Sequence, residues 1–119
     1  MKTVFQIFLF ALISSGALAQ GNLCFSTASR TFTNQRSAQI CDKVGSDYCF
    51  QEAYRFHTLE VAAKACKSVY SDACMLDSMR YNGLAASAEA CRDLRGDACY
   101  LTMRQQHGIL RSIQICRGY

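Results

Sequence analysis

Hydrophobic and polar positions recur along this chain at a fixed interval, and cysteines mark the interval. The cysteines alternate at steps of 17 and 8 residues, so the pattern repeats every 25 residues. A fixed repeat period is typical of stacked copies of one supersecondary unit. The sequence therefore predicts four units of one kind, whose cysteines are Cys24, Cys41, Cys49, Cys66, Cys74, Cys91, Cys99 and Cys116.

Within a unit, the apolar positions follow a helical spacing twice, with a break between the two stretches. In the second unit one stripe runs from Cys49 to Phe56 and the other from Leu59 to Val69. Such spacing places one helix face against a core, and no run alternates as a β-strand would. We therefore predict an all-α fold: a short solenoid of about four disulfide-stapled α/α hairpins, with about eight helices of ~8–11 residues each.

Recurring aspartates and a glycine predict where the helices begin and end. Asp47, Asp72 and Asp97 each stand two residues before a cysteine, where we expect them to act as helix N-caps. Between the two helices of a unit, the third unit has Asn82-Gly83 where the second has His57-Thr58. Glycine at this break suggests a left-handed residue that ends the first helix.

Two schemes of cysteine pairing are compatible with the spacing. One joins the ends of each unit, and the other joins cysteines of neighbouring units and leaves Cys24 and Cys116 unpaired. Loop-closure entropy hardly separates them, at roughly 3.2 against 2.6 kcal/mol per bond. We favour the first scheme because it pairs every cysteine, with bonds Cys24–Cys41, Cys49–Cys66, Cys74–Cys91 and Cys99–Cys116.

Cysteine pairs in short helical repeats, with alanines beside them, resemble the disulfide-bonded relatives of the tetratricopeptide repeats. The seven residues between Cys66 and Cys74 match the spacing in those proteins. The resemblance implies an α/α-hairpin fold. The period here is shorter, and the glycine and tyrosine landmarks of that class are missing, so no functional residues are carried over.

The N-terminus predicts export. Lys2 is followed by an apolar run and then by Ala17-Leu18-Ala19, a sequence that suits signal peptidase. We predict a signal peptide over residues 1–19 and one cysteine-rich helical domain over residues 20–119. The cysteine content then indicates a secreted or periplasmic disulfide framework. The apolar run is shorter than the ~20 residues that a membrane-spanning helix needs, so we expect no span after cleavage.

Charge and motifs exclude several function classes. Without Lys2 the chain has 12 basic and 9 acidic residues, a balance too mild to predict nucleic-acid binding. Zinc-type cysteine and histidine spacings do not occur, so we expect no metal and no cofactor. His57 and His107 occupy the same position in two units, which suits a helix-closing polar residue better than a catalytic base. We expect no enzymatic activity.

A row of arginines is the strongest binding signal. Arg30, Arg55 and Arg80 each lie six residues after the leading cysteine of a unit. Stacked units would align them beside aromatic residues, and both residue types are favoured at binding hot spots. Alternatively, each arginine pairs with an acid of its own unit, as in Glu52 with Arg55 or Asp77 with Arg80. The candidate binding residues are Arg30, Arg55, Arg80, Arg104, Tyr54 and Tyr81.

These observations favour an interaction module that binds an unknown protein or peptide, because repeat folds are mostly used in that way. A structural envelope or matrix protein is the alternative. An enzyme or an enzyme inhibitor is less favoured, because no nucleophile, base and orienting carboxylate converge in the sequence.

Overall fold

Residues 22–117 are described by a computed structural model, and they form the predicted all-α array. Eight helices follow one another in this part of the chain, two in each unit, and every substantial helix contact lies within a unit or between consecutive units. The helices of this part of the chain have six to nine residues, and four of them are shorter than the ~8–11 residues predicted. In order they are α1 (Leu23–Ala28), α2 (Asn34–Ile40), α3 (Asp47–Tyr54), α4 (Leu59–Ala65), α5 (Asp72–Ser78), α6 (Leu84–Cys91), α7 (Asp97–Arg104) and α8 (Ile109–Arg117).

One disulfide joins the two helices of every unit. Each bond spans a sequence separation of 17 residues, and Cys66 and Cys74 are bonded to other cysteines rather than to each other. Such short helices are marginal alone, so the crosslink and the neighbouring units supply the stability that the helices lack. The bonds are Cys24–Cys41, Cys49–Cys66, Cys74–Cys91 and Cys99–Cys116.

The predicted N-caps are wrong by one residue. Asp47 and Asp72 are the first residues of their helices, and the serine before each is the N-cap. The Ser46 hydroxyl accepts a hydrogen bond from the Cys49 N–H at 3.1 Å, and Ser71 accepts from the Cys74 N–H at 3.1 Å. Gly96 precedes Asp97 and has no side chain to cap α7. The serine hydroxyl therefore accepts the free N–H of the first helical turn, the role that we predicted for the aspartate carboxylate.

Each aspartate instead reaches back to the equivalent helix of the preceding unit. The backbone N–H of Tyr48 donates to Oδ1 of Asp72 at 3.2 Å, and that of Ala73 donates to Oδ1 of Asp97 at 3.2 Å. The first unit follows the same rule, because the N–H of Leu23 donates to Asp47 at 3.1 Å. A carboxylate is favourable beside the free N–H groups of a helix N-terminus. The repeated aspartate therefore holds units together.

A backbone ladder at the turn between units forms a second link. Lys43, Ser68 and Asp93 occupy the left-handed region, with φ of 62°, 63° and 69°. The N–H of Ser68 donates to the Lys43 carbonyl, and the N–H of Asp93 donates to the Ser68 carbonyl, both at 2.8 Å. Left-handed residues therefore lie between units.

The prediction that a left-handed glycine ends the first helix of a unit is wrong. Gly83 has an extended backbone and is the N-cap residue, immediately before the start of α6.

The core runs along the array between the two helix layers. It contains the disulfides, one large side chain after the leading cysteine of the second, third and fourth units, and one apolar residue at each junction between units. The first unit is less covered, since Ala38 is exposed where Ala63 and Ala88 are buried. The buried core residues that recur from unit to unit include Phe50, Met75 and Tyr100, and Val44, Val69 and Leu94.

Two features of the described residues are relevant to the compartment of the protein. Four disulfides within one chain fit an oxidising compartment. In residues 22–117 no helix has the length and apolar character that crossing a bilayer requires. The predicted signal peptide lies outside the described residues and stays a prediction.

Candidate functional site

The array places three of the candidate arginines at one recurring position. Arg30, Arg55 and Arg80 follow the first helix of units one, two and three, and all three are exposed. Helices α1, α3 and α5 pack side by side, so their C-terminal ends lie along the same side of the array. Packed helices lie about 8–10 Å apart, which sets the approximate spacing of the row.

The arginines of this row differ in their partners. Arg55 forms an ion pair with Glu52 at 3.4 Å, in agreement with the alternative that each arginine pairs with an acid of its own unit. The corresponding pair of Arg80 with Asp77 does not form, and within residues 22–117 neither Arg30 nor Arg80 makes an ion pair. The Arg55 side chain is 59% exposed and that of Glu52 is 18% exposed, and an i, i+3 pair of this kind contributes only about 0.2–0.5 kcal/mol. Its guanidinium can therefore exchange partners at little cost.

Asp77 binds two side chains of the fourth unit. The Tyr100 hydroxyl donates to its Oδ2 at 2.8 Å, and Arg104 Nε donates to the same oxygen at 3.0 Å. A second Arg104 nitrogen donates to the carbonyl of His107 at 3.1 Å. Burial, reinforced by the Asp77 carboxylate, raises the pKa of Tyr100 to about 12. Arg104 is thus engaged between units three and four by Asp77, unlike Arg30 and Arg80.

Exposed aromatic residues follow two of the arginines. Phe56 comes directly after Arg55 with 79% of its surface exposed, and Tyr81 comes directly after Arg80 with 76% exposed. Tyr54 is 44% exposed, and its ring stacks on that of Phe50 at a centroid distance of 5.4 Å. Two consecutive turns of the array therefore present an arginine followed by an uncovered aromatic ring.

One apolar residue beside these turns is not among the sequence candidates. Leu76 is 47% exposed and lies on α5, four residues before Arg80, which follows the end of that helix. A separation of four residues would place two side chains on one face of a continuous helix, and that was the available sequence signal. Leu101, at the equivalent position of the fourth unit, is likewise exposed, at 52%. We call the set Tyr54, Arg55, Phe56, Leu76, Arg80 and Tyr81 the arginine–aromatic edge.

Residues that could support other chemistry do not converge. His57 is exposed and His107 is half-buried, each in the turn between the two helices of its unit. Among residues 22–117, no group of three or more histidine, cysteine or carboxylate side chains has the geometry to hold a metal ion. The arginine–aromatic edge is therefore the strongest candidate site.

Comparison with protein families, curated proteins and solved structures gave no significant match for this chain.

Proposed function

We propose that this protein is a secreted or periplasmic interaction module whose arginine–aromatic edge binds an extended, acidic peptide segment of a partner protein. The observation that carries the proposal is the repeated pair of exposed residues, Arg55-Phe56 and Arg80-Tyr81, on two consecutive turns. Its protein partner would supply carboxylates to the arginines and apolar side chains to the rings.

Side-chain chemistry supports a binding role. Phe56 and Tyr81 are more than three-quarters exposed, so each leaves a large apolar surface in water until a partner covers it. Arg80 makes no ion pair within the described chain, and Arg55 makes only an exposed one. Arginine and aromatic residues carry much of the binding free energy in protein interfaces.

The spacing of the units indicates the form of the ligand. Neighbouring helices lie about 8–10 Å apart. A peptide in the extended polyproline II conformation advances about 3.1 Å per residue with three residues per turn, so every third side chain lies on the same face. Carboxylates three residues apart on an extended segment would therefore meet Arg55 and Arg80 in turn. The residues between them would place apolar side chains beside Phe56 and Tyr81.

Rigidity also supports this function. The helices that carry both turns are fixed by the bonds Cys49–Cys66 and Cys74–Cys91 within their units. The carboxylate of Asp72 ties α3 to α5 through the Tyr48 N–H. A surface that is already ordered loses little entropy when it binds, which favours affinity for short ligands.

The alternative of a covalent structural polymer has less support. End-to-end crosslinking would require free thiols at Cys24 and Cys116. Both cysteines are already bonded within their own units, to Cys41 and Cys99 respectively.

A random peptide library displayed on phage, selected on the oxidised protein, tests the proposal. We expect enrichment of peptides with acidic residues at i and i+3 and an aromatic or aliphatic residue beside them. Binding of a selected peptide should fall at least tenfold in the Arg55→Glu/Arg80→Glu variant and in Phe56→Ala/Tyr81→Ala.

Matched variants elsewhere provide the controls. Arg111 and Leu110 are exposed on α8, two units away from Arg55, and should tolerate charge reversal and truncation without loss of binding. Enrichment of peptides without acidic residues, or equal binding by wild type and Arg55→Glu/Arg80→Glu, would overturn the proposed function.

A further inference from the structure

A separate groove lies between the second helices of the first two units. It is open to solvent and has a volume of about 310 Å³ between α2 and α4. The arginine–aromatic edge contributes none of its lining. We call it the basic groove, and it is lined by Arg36, Gln39, Ile40, Glu60, Lys64 and Lys67.

Positive charge predominates in this groove. Three of its residues are cations and Glu60 is the single acid. Glu60 lies 3.8 Å from Arg36 across the groove, and both side chains are more than half exposed. Within the described chain neither Lys64 nor Lys67 forms an ion pair, although Lys64 stands one helical turn after Glu60. A concave surface that collects one sign of charge attracts counter-ions more strongly than a flat one.

The backbone at Lys67 and Ser68 is fixed from both neighbouring units. Its carbonyl accepts a hydrogen bond from the Arg92 guanidinium, and the next residue, Ser68, donates its N–H to the Lys43 carbonyl at 2.8 Å. The disulfide Cys49–Cys66 holds the preceding residue. Lys67 is itself half-buried beside the groove.

The remaining lining suits a sugar ring. Ile40 is half-buried and offers an apolar surface, and Gln39 offers an amide that can donate or accept hydrogen bonds. The volume exceeds what a bare oxyanion needs. A sugar ring that carries an oxyanion would fill the groove, with its charged group beside the lysines and its carbon face on Ile40.

We propose that the basic groove binds a sulfated sugar, with the sulfate between Lys64 and Lys67 and with Glu60 as the competing anion. Arg36 is paired with Glu60 in the free protein by an exposed contact that contributes little. An incoming sulfate takes over Arg36 as a third cation. Loss of the Glu60 charge should therefore strengthen binding, while loss of the lysine charges should weaken it.

Amide chemical shifts of the oxidised, 15N-labelled protein provide the test, at fixed ionic strength. The probes are sodium sulfate, sodium phosphate and a sulfated heparin-type disaccharide. We expect saturable shifts within residues 36–40 and 60–67, with the disaccharide binding at least tenfold more tightly than either inorganic ion. Lys64→Gln/Lys67→Gln should weaken the disaccharide at least tenfold, and Glu60→Gln should tighten it several-fold.

Matched charge changes outside the groove distinguish specific binding in the basic groove from nonspecific electrostatic attraction. Arg111→Gln removes one exposed cation of the fourth unit, and Glu52→Gln removes an acid that is paired with an arginine elsewhere. Neither should change the disaccharide affinity by more than twofold. Equal effects of Glu52→Gln and Glu60→Gln would overturn the site.

Other outcomes also decide against the proposal. Saturable shifts with the inorganic ions alone would mean an anion site without sugar recognition. No saturable shift with any probe would mean no site at all. Because Arg55→Glu/Arg80→Glu should leave disaccharide binding unchanged, the groove and the peptide-binding edge can fail independently.

Discussion

The carboxylate of Asp72 accepts the backbone N–H of Tyr48, 24 residues earlier, at 3.2 Å. The same oxygen accepts the hydroxyl hydrogen of Ser46, the residue that caps α3. One serine and one aspartate thus connect a helix end to the next unit. This relationship explains why an aspartate recurs at a fixed position without capping its own helix.

Removing this carboxylate should loosen the contact between units two and three. Asp72→Ala leaves the Tyr48 N–H and the Ser46 hydroxyl without their acceptor, and we expect a loss of about 1–3 kcal/mol in the free energy of unfolding. Urea denaturation with intact disulfides measures it. Asp42→Ala, at an exposed position after α2, should change stability by less than about 0.5 kcal/mol. Equal losses in the two variants would contradict the linking role.

A close approach between units predicts a second effect. A methyl group on Gly45 would overlap the ring of Tyr70, whereas one on Gly96 would meet open space. Gly45→Ala should therefore destabilise the protein by about 1–3 kcal/mol, because the ring must move away from its packing. Gly96→Ala is the matched control and should be nearly neutral. A neutral Gly45→Ala in thermal denaturation would show that the ring relocates freely.

The Tyr100 hydroxyl predicts a loss of stability at high pH. Its pKa rises from 10.0 to about 12 in the fold, so folding favours the protonated phenol. The associated stability is fully present below pH 10.0 and disappears as pH rises toward about 12. Rapid denaturation measurements across this window should show a smaller decline in Tyr100→Phe than in the wild type. An identical decline would contradict a role for this hydroxyl.

Removing a disulfide should cost more in the middle of the array than at its N-terminal end. All four bonds close loops of equal length, so the unfolded-state contribution is the same, about 3 kcal/mol. Cys74 and Cys91 are fully buried, whereas Cys41 is partly exposed. Alanine at both Cys74 and Cys91 should therefore lower stability further than alanine at both Cys24 and Cys41. The reverse order would contradict the looser packing of the first unit.

The fold could be predicted because the cysteines and apolar residues of the sequence repeat at a fixed period. The spacing of Cys49, Cys66 and Cys74 repeats around apolar residues at helical intervals, and that pattern sets the unit, its two helices and its core. Four of the helices are shorter than predicted. Threonine or serine caps begin some of them late, as Thr58 does for α4, and turns between units occupy several residues.

Contacts between units were less accessible to prediction. The i, i+3 spacing suggested that Asp77 pairs with Arg80, but Asp77 instead receives hydrogen bonds from Tyr100 and Arg104. These partners lie 23 and 27 residues further along the chain, so stacking alone brings them together. A buried tyrosine hydroxyl needs a partner, and that requirement outweighs a weak exposed ion pair. The exposure of Leu76 likewise depends on how the helices stack.

The affinity of a selected acidic peptide for the arginine–aromatic edge tests the central claim most directly. Isothermal titration should compare the wild type with Arg55→Glu/Arg80→Glu and with Arg111→Glu, after circular dichroism has shown equal folding. We predict at least tenfold weaker binding in the double variant and an unchanged dissociation constant in Arg111→Glu. Equal dissociation constants for all three proteins would contradict a binding role for this edge.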